Sequence, residues 1–229
     1  MKIKHLSHSG FMIEEGKNIF LFDVTDSLKL SNKDKNIYVF FSHSHQDHFS
    51  LENIKKLSKQ KRVYFILSKE ISQKTLLPAL DCLFLLEPYK TIVIEGIEIS
   101  TYGSTDLGNS YLVTSNGRKY FHSGDLNWWH WKKRMTPGQL KEEELAFKKE
   151  VDLLKGISID FAFIPVDPRL EDSAFLAINY FLKTVHPKYV IPMHSFGQYT
   201  FYKNLSENIH LNNTILLNTK KQHQIIYEK

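Results

Sequence analysis

Residues 40–49 read FFSHSHQDHF, so three histidines and an aspartate crowd into six positions directly after an apolar run. Imidazole is the commonest metal-binding side chain, and carboxylate is a good partner for a hard or borderline cation. His43 and His45 stand two apart; in extended backbone they project from the same side, as two ligands of one ion must. Asp47 and His48, past a turn, can face a second ion beside the first. Further along, Asp125 follows the run KYFHSG, and His194 follows YVIPM. A carboxylate such as Asp125 could bridge two ions. Nitrogen and oxygen ligands with positions left for water are the general requirement of a two-metal hydrolytic site. The plain alternative is a polar loop whose histidines only solvate a turn.

Other residues invite a role around such a site. DLNWWHWKKRM follows Asp125 directly and places three tryptophans in four positions. They read either as core or as an aromatic wall, with Lys132, Lys133 or Arg134 reaching an anionic group. His130 within that segment has the access a substrate contact needs, whereas His122 lies inside an apolar strand and reads as packed in a sheet. Arg169 in PVDPRLED follows a strand end. Its planar fork suits a carboxylate or phosphate through two hydrogen bonds.

Elements must hold these groups in place. The opening 24 residues alternate and break at Gly10 and at Gly16, as a β-hairpin does. KNIYVFFSH is a mostly apolar strand that stops at the histidines. SLENIKKLSKQ has Leu51, Ile54 and Leu57 at three-residue spacing with Ser50 as N-cap, hence a helix. RVYFILS is a further buried strand, completing a βαβ unit. TIVIEGIEIST, NSYLVTS and GRKYFHSGD return to strand period, with Asn116-Gly117 as a hairpin turn. A helix around LKEEELAFKKEVDLLKGI, the strand IDFAFIPV, a helix over DSAFLAINYFLKTVHP ended by Pro187, and the strand KYVIPMHSFG follow. TILLN and HQIIYE finish the chain. Two groups of strands, each with helices, predict two mixed sheets face to face with helices outside.

At 229 residues the chain suits one sizeable domain or two small ones, and without a visible linker residues 1–229 read as one. The formal charge of +5 comes from lysines spread from Lys2 to Lys229, a solvated surface rather than a nucleic-acid arm. The one cysteine, Cys82, excludes an internal disulfide and a multi-cysteine zinc site, and its leucine neighbours suggest a buried hydrophobe. No segment has the length of a signal h-region or a membrane span, so a cytoplasmic location is expected.

HSHQDH after an apolar strand resembles the H-x-H-x-D-H signature of the metallo-β-lactamase superfamily. LSHSGFMIE and IFLFDV are similar to the opening strands of its lactonase-like branch, which includes the ascorbate-6-phosphate lactonases. FHSGD resembles the family's strand ending in Gly-Asp, and VIPMHSFG its last ligand segment. Four motifs in order cover nearly the whole chain. The resemblance implies an α/β fold, the αββα sandwich. It also implies His43 and His45 at a first metal site, Asp47, His48 and His194 at a second, and Asp125 between them. Asp47 would further orient an attacking water or shuttle its proton, Asp23 would orient the histidine loop, and His8 would line the site mouth.

The chain departs from the family at one place. A third first-site histidine is expected before a glycine that leads into a strand, and here the sequence reads YGSTDLGNSYLV. Asp106 is the candidate replacement, because an ionised carboxylate is a metal ligand where a neutral hydroxyl is a weak one. Its alternative task is to cap the turn before Gly108. The other options are an incomplete, weakly held first site and a histidine reaching in from elsewhere, with His122 and His130 as the candidates. The expected cofactor is one or two divalent ions, zinc first, with manganese or iron favoured by an oxygen-richer site. The expected activity is hydrolysis of a small anionic ester, lactone or phosphodiester. A non-catalytic or sensory member and a nuclease-type phosphodiesterase are the competing readings. A di-iron redox protein is set aside because no flavin-binding segment is visible. Polymeric nucleic acid and membranes are not expected partners, and oligomeric state is not legible.

Overall fold

The computed structural model describes residues 1–28, 30 and 34–229. Two seven-stranded mixed sheets pack face to face. The first holds β1 (Lys2–Ser7), β2 (Gly10–Glu15), β3 (Asn18–Phe22), β4 (Asn36–Phe41), β5 (Val63–Ser68) and β6 (Leu83–Leu86) in chain order. The second begins with β7 (Thr91–Ile94), β8 (Ile97–Tyr102), β9 (Ser110–Ser115) and β10 (Arg118–His122), and continues through β11 (Phe161–Pro165), β12 (Tyr189–Met193) and β13 (Ile215–Leu216). The last strand, β14 (Gln224–Glu228), crosses back to pair antiparallel with β1.

Strand alternation builds three apolar layers. Phe20, Phe22, Tyr38 and Phe40 point between the sheets, where they meet Tyr120, Phe163 and Met193 of the second sheet. Their neighbours Ile19, Leu21, Val39 and Phe41 point outward, onto α1 (Leu51–Leu57) and α2 (Lys69–Lys74). On the far side Phe121, Ala162, Ile164 and Val190 pack under α3 (Pro137–Asp152) and α4 (Phe175–Val185). A strand buried on both faces needs an apolar residue at every position, so β3, β4 and β11 read as continuous apolar runs. The architecture is the αββα sandwich.

Local signals set the element ends. Ser50 accepts the Asn53 N–H and starts α1. Thr136 and Gln139 form a capping box that starts α3, with Pro137 in its first turn. His186 in left-handed backbone, followed by Pro187, stops α4. The opening residues form three antiparallel strands rather than the expected pair, because the chain already turns at His8-Ser9. The short β6 and α2 carry no clear sequence signal. Cys82 is half-buried rather than fully enclosed. No helix among the described residues is long and apolar enough to cross a membrane.

Candidate metal centre

The parallel strands β3, β4, β10, β11 and β12 end at one edge of the sandwich. Just beyond those ends lie Asp23, the 43–48 loop, Asp125, Asp167 and His194. The turn between β1 and β2 brings His8 to the same edge. Two adjacent clusters result. In one, ligand atoms of His43, His45, Asp106 and Asp125 lie within 4.8 Å of one another; in the other, those of His8, Asp47, His48 and His194 do.

Asp125 sits between them. Its Oδ2 is 3.7 Å from His43 Nε2, while its Oδ1 is 3.1 Å from His48 Nε2 and 3.2 Å from His194 Nε2. His43 Nε2 is 3.0 Å from His45 Nδ1, which is 3.5 Å from Asp106 Oδ2. His8 Nε2 stands 3.2 Å from Asp47 Oδ2. Ligands about 2.1 Å from a tetrahedral ion are about 3.4 Å apart, so this spacing suits a cation at each cluster. The orphaned atoms make the same point. Nε2 of His8, His48 and His194 and Oδ1 of Asp125 are buried, and their 3.1–3.2 Å approaches do not have the geometry of hydrogen bonds, which leaves them without a partner among the described residues. Such atoms are costly unless something absent from the chain itself satisfies them.

The opposite ring nitrogens are held from behind. Asp23, fully enclosed, accepts the Ser42 N–H at 2.7 Å and the Ser42 O–H at 2.6 Å, and its Oδ2 faces His48 Nδ1 at 2.7 Å. Ser42 Oγ in turn lies 2.9 Å from His43 Nδ1. Asp167 faces His194 Nδ1 at 3.2 Å. Each partner fixes the proton on Nδ1 and leaves the Nε2 lone pair toward the cluster. Asp167 was not legible as an orienting residue. Its only sequence signal is an aspartate just past a buried strand.

Buried carboxylates and imidazoles set the electrostatics of the site. Burial works to raise the Asp125 carboxyl, but His48 and His194 outweigh it and hold it well below the usual range. Burial likewise opposes a charge on His48, yet Asp125 and Asp23 raise its pKa well above the ordinary value. His8 and His43, where burial prevails, are held down at about 4. A divalent ion would supply the positive charge that these carboxylates otherwise draw from imidazole protons.

Asp106 lies in the first cluster, and its carboxylate makes no turn-capping hydrogen bond among the described residues. The nearby cap comes from Ser104 Oγ, which accepts the Asp106 N–H at 3.2 Å. His122 is enclosed in the sheet, stacked on Phe22, with Ser9 O 2.9 Å from its Nε2. His8 Nε2 falls among the ligand atoms of the second cluster. His130 does not line the cleft over the clusters and instead faces a neighbouring cavity. Arg169 does line the cleft, but its Nε and Nη2 are engaged by Asp167 at 3.0 and 2.6 Å. Both tryptophan readings apply. Trp128 packs against Phe147, whereas Trp129 and Trp131 stack 6.1 Å apart on the wall of a cleft of about 380 Å³.

Residues 2–194 match the family described as the beta-lactamase superfamily domain. The chain belongs to the metallo-β-lactamase superfamily. Solved structures agree on the fold. Igni18, a novel metallo hydrolase from the hyperthermophilic archaeon Ignicoccus hospitalis KIN4/I, superposes with a TM-score of 0.65 at 15% identity, over 98% of this chain and 96% of that one. The metallo-β-lactamase fold protein YhfI from Bacillus subtilis does so with a TM-score of 0.66 at 12% identity, over 98% of each chain. Identity this low carries the fold alone. No curated protein matches in sequence.

Proposed function

We propose that this superfamily member is a metal-dependent hydrolase of a small anionic ester, lactone or phosphodiester, on the lactonase-like side of the family. The observation that carries the reading is the pair of adjacent histidine–carboxylate clusters joined by Asp125 beside a cleft, with Nε2 of His8, His48 and His194 and Oδ1 of Asp125 buried and unpartnered among the described residues. His43, His45, Asp106 and Asp125 would hold one divalent ion, and His8, Asp47, His48 and His194 the other, with zinc, manganese or iron as candidates. When bound, such ions supply Lewis acidity that makes water nucleophilic near neutral pH and stabilises a developing oxyanion.

The chain's own residues do the rest. Asp47 is half-buried in the cleft; burial would raise its carboxyl, but the His8 contact and the neighbouring imidazoles hold it well below the usual range. From there the carboxylate would orient an attacking water or shuttle its proton. Asp23 and Asp167 keep Nδ1–H of His48 and His194 in place, so that both rings present Nε2. Trp129 and Trp131 exclude water from one side of the bound substrate, and Arg169 places a positive charge at the rim.

The test is metal quantification on the purified protein together with a turnover screen over lactones, esters and phosphodiesters. About two equivalents of metal and turnover that disappears in His48→Ala and His194→Ala are expected. One equivalent or none, without turnover, would instead favour a binding or sensory member. Activity restricted to polymeric nucleic acid would favour a nuclease.

A further inference from the structure

The imidazoles gathered at the site edge differ in what holds them. His43, His48 and His194 each have a partner facing the ring nitrogen turned away from the clusters, namely Ser42, Asp23 and Asp167. His45 has none. Its Nδ1 faces His43 and Asp106, its side chain is 45% exposed, and its Nε2 meets no hydrogen-bond partner among the described residues. A ring so placed is aimed by its own backbone. On the far side that backbone is fixed by a turn, where the His45 carbonyl accepts the N–H of His48 at 3.0 Å and of Phe49 at 2.8 Å. On the near side is Ser44, between the two histidines of the first cluster, and both of its donors go to one carboxylate. Glu70 Oε2 accepts the Ser44 N–H at 3.0 Å, and Oε1 accepts the Ser44 O–H at 2.6 Å.

Glu70 stands in the first turn of α2, where an acid ordinarily serves the helix dipole or pairs with a lysine one turn on. Lys74 does lie 3.0 Å from Glu70 Oε1. An ion pair of that kind needs neither burial nor a further partner. Here the Glu70 side chain is only 16% exposed, and its two oxygens span the N–H and O–H of a single residue. Topology explains the meeting. β4 and β5 run parallel, with Phe41 against Leu67, so the residues that follow them leave the same edge side by side. Burial would raise the Glu70 carboxyl, but Ser44 and Lys74 hold it below its usual range, so the bonds to Ser44 are charge-assisted. We propose that Glu70 is the positioning residue of the first cluster: it clamps Ser44 and thereby sets the aim of His43 and His45 at a bound divalent ion. The inference rests on the two-cluster metal reading and on no particular substrate.

Cobalt(II) titration of metal-free protein tests the clamp, because the visible spectrum of the bound ion reports its ligands. A His194→Ala chain, whose second cluster lacks a ligand, isolates the first position. Its affinity and spectrum are compared before and after adding Glu70→Ala, Glu70→Gln or Ser44→Ala. Glu70→Ala should weaken first-position affinity about 10- to 100-fold and alter the spectrum. Ser44→Ala should cost less, because the N–H contact survives. Glu70→Gln should recover most of the loss, since an amide can accept the Ser44 N–H and donate to its Oγ. A Gln variant as weak as the alanine one would overturn the clamp in favour of charge alone. Unchanged affinity and spectrum in Glu70→Ala would overturn it outright; if that chain does not fold, Ser44→Ala decides on the same terms. Glu70-dependent metal in a protein without turnover would keep the clamp and remove the hydrolase reading. A wild type that binds no cobalt would remove both.

Discussion

With Asp106 in the first cluster, two imidazoles face two carboxylates there, whereas the second cluster holds three imidazoles and Asp47. Oxygen donors favour manganese or iron and nitrogen donors suit zinc, so the two positions should differ in which ion they retain. Asp106→Asn keeps the size of the side chain and removes its charge. First-site metal should be lost, and activity should fall by more than the about 10- to 100-fold that follows from disturbing an outer partner. Metal analysis and rate measurements check this, and unchanged stoichiometry would leave Asp106 a loop residue. Asp167 supplies the outer-partner comparison. Asp167→Asn retains an acceptor for His194 Nδ1–H but loses the negative charge, and second-site affinity should weaken about 10- to 100-fold with the fold intact. Equal affinity in a competition with a chelator would exclude an orienting role.

The loop between β8 and β9 carries Asp106, and three anchors fix its course. Glu150 of α3, largely buried, accepts the Gly103 N–H at 3.0 Å and is also hydrogen-bonded by the Tyr89 hydroxyl. Thr105 Oγ1 donates to Asn127 O at 2.6 Å, which ties the loop to the segment after Asp125. Gly108, in left-handed backbone (φ 71°), lies so close to the residues just after β4 that a Cβ there would stand 1.9 Å from Ser42 O and 2.8 Å from His43 Cβ. Only glycine allows this approach, which sets the Asp106 loop directly against the histidine loop. Gly108→Ala should therefore act on stability and site together. Strained backbone alone costs about 1–3 kcal/mol, and with the clash the melting temperature should drop by about 5 °C or more. First-site metal should be weakened as Ser42 and His43 shift. A variant with wild-type melting and metal content would show that the loop has another conformation available.

At the scale of the molecule, the site edge is a concentration of buried histidines whose shifts oppose one another: burial lowers His8, His43 and His122, whereas neighbouring carboxylates raise His48 and His194. His122 is fully enclosed, and desolvation holds its pKa below the ordinary 6.5 despite the nearby Asp23. The folded chain then binds fewer protons at His122 than the unfolded chain does. Stability from this group is complete above about pH 6.5, where neither state is protonated, and falls as pH drops through the window below it. In metal-stripped protein the change in melting temperature from pH 7.5 to pH 5 should be more unfavourable in the wild type than in His122→Gln, which keeps a donor for Ser9 O and cannot titrate. Parallel pH profiles for the two proteins would rule out His122 as a contributor.

Most strands, the main helices and the sandwich were legible in the sequence, because apolar period and capping are local records of which face an element buries; the extra turn at His8-Ser9 and the short β6 and α2 were not. It also marked the 43–48 loop, whose four candidate ligands are neighbours in the chain, and pointed to Asp125 and His194 at strand ends. What the tertiary structure decided lies between segments. His8 joins the second cluster because the β1–β2 turn meets the residues after β12 across the sheets, with His194 N–H donating to His8 O at 3.3 Å. Asp106 faces His45 because Gly108 lets two loops touch. Asp167 backs His194 because β11 and β12 run parallel side by side. His130 points to a neighbouring cavity because the segment after Asp125 turns at Trp128–Trp131 before α3 begins. Residue type and spacing state what a side chain can bind. Whether loops remote in sequence bring their ligands within a few ångströms depends on how two sheets pack, and periodicity along one strand carries no record of that.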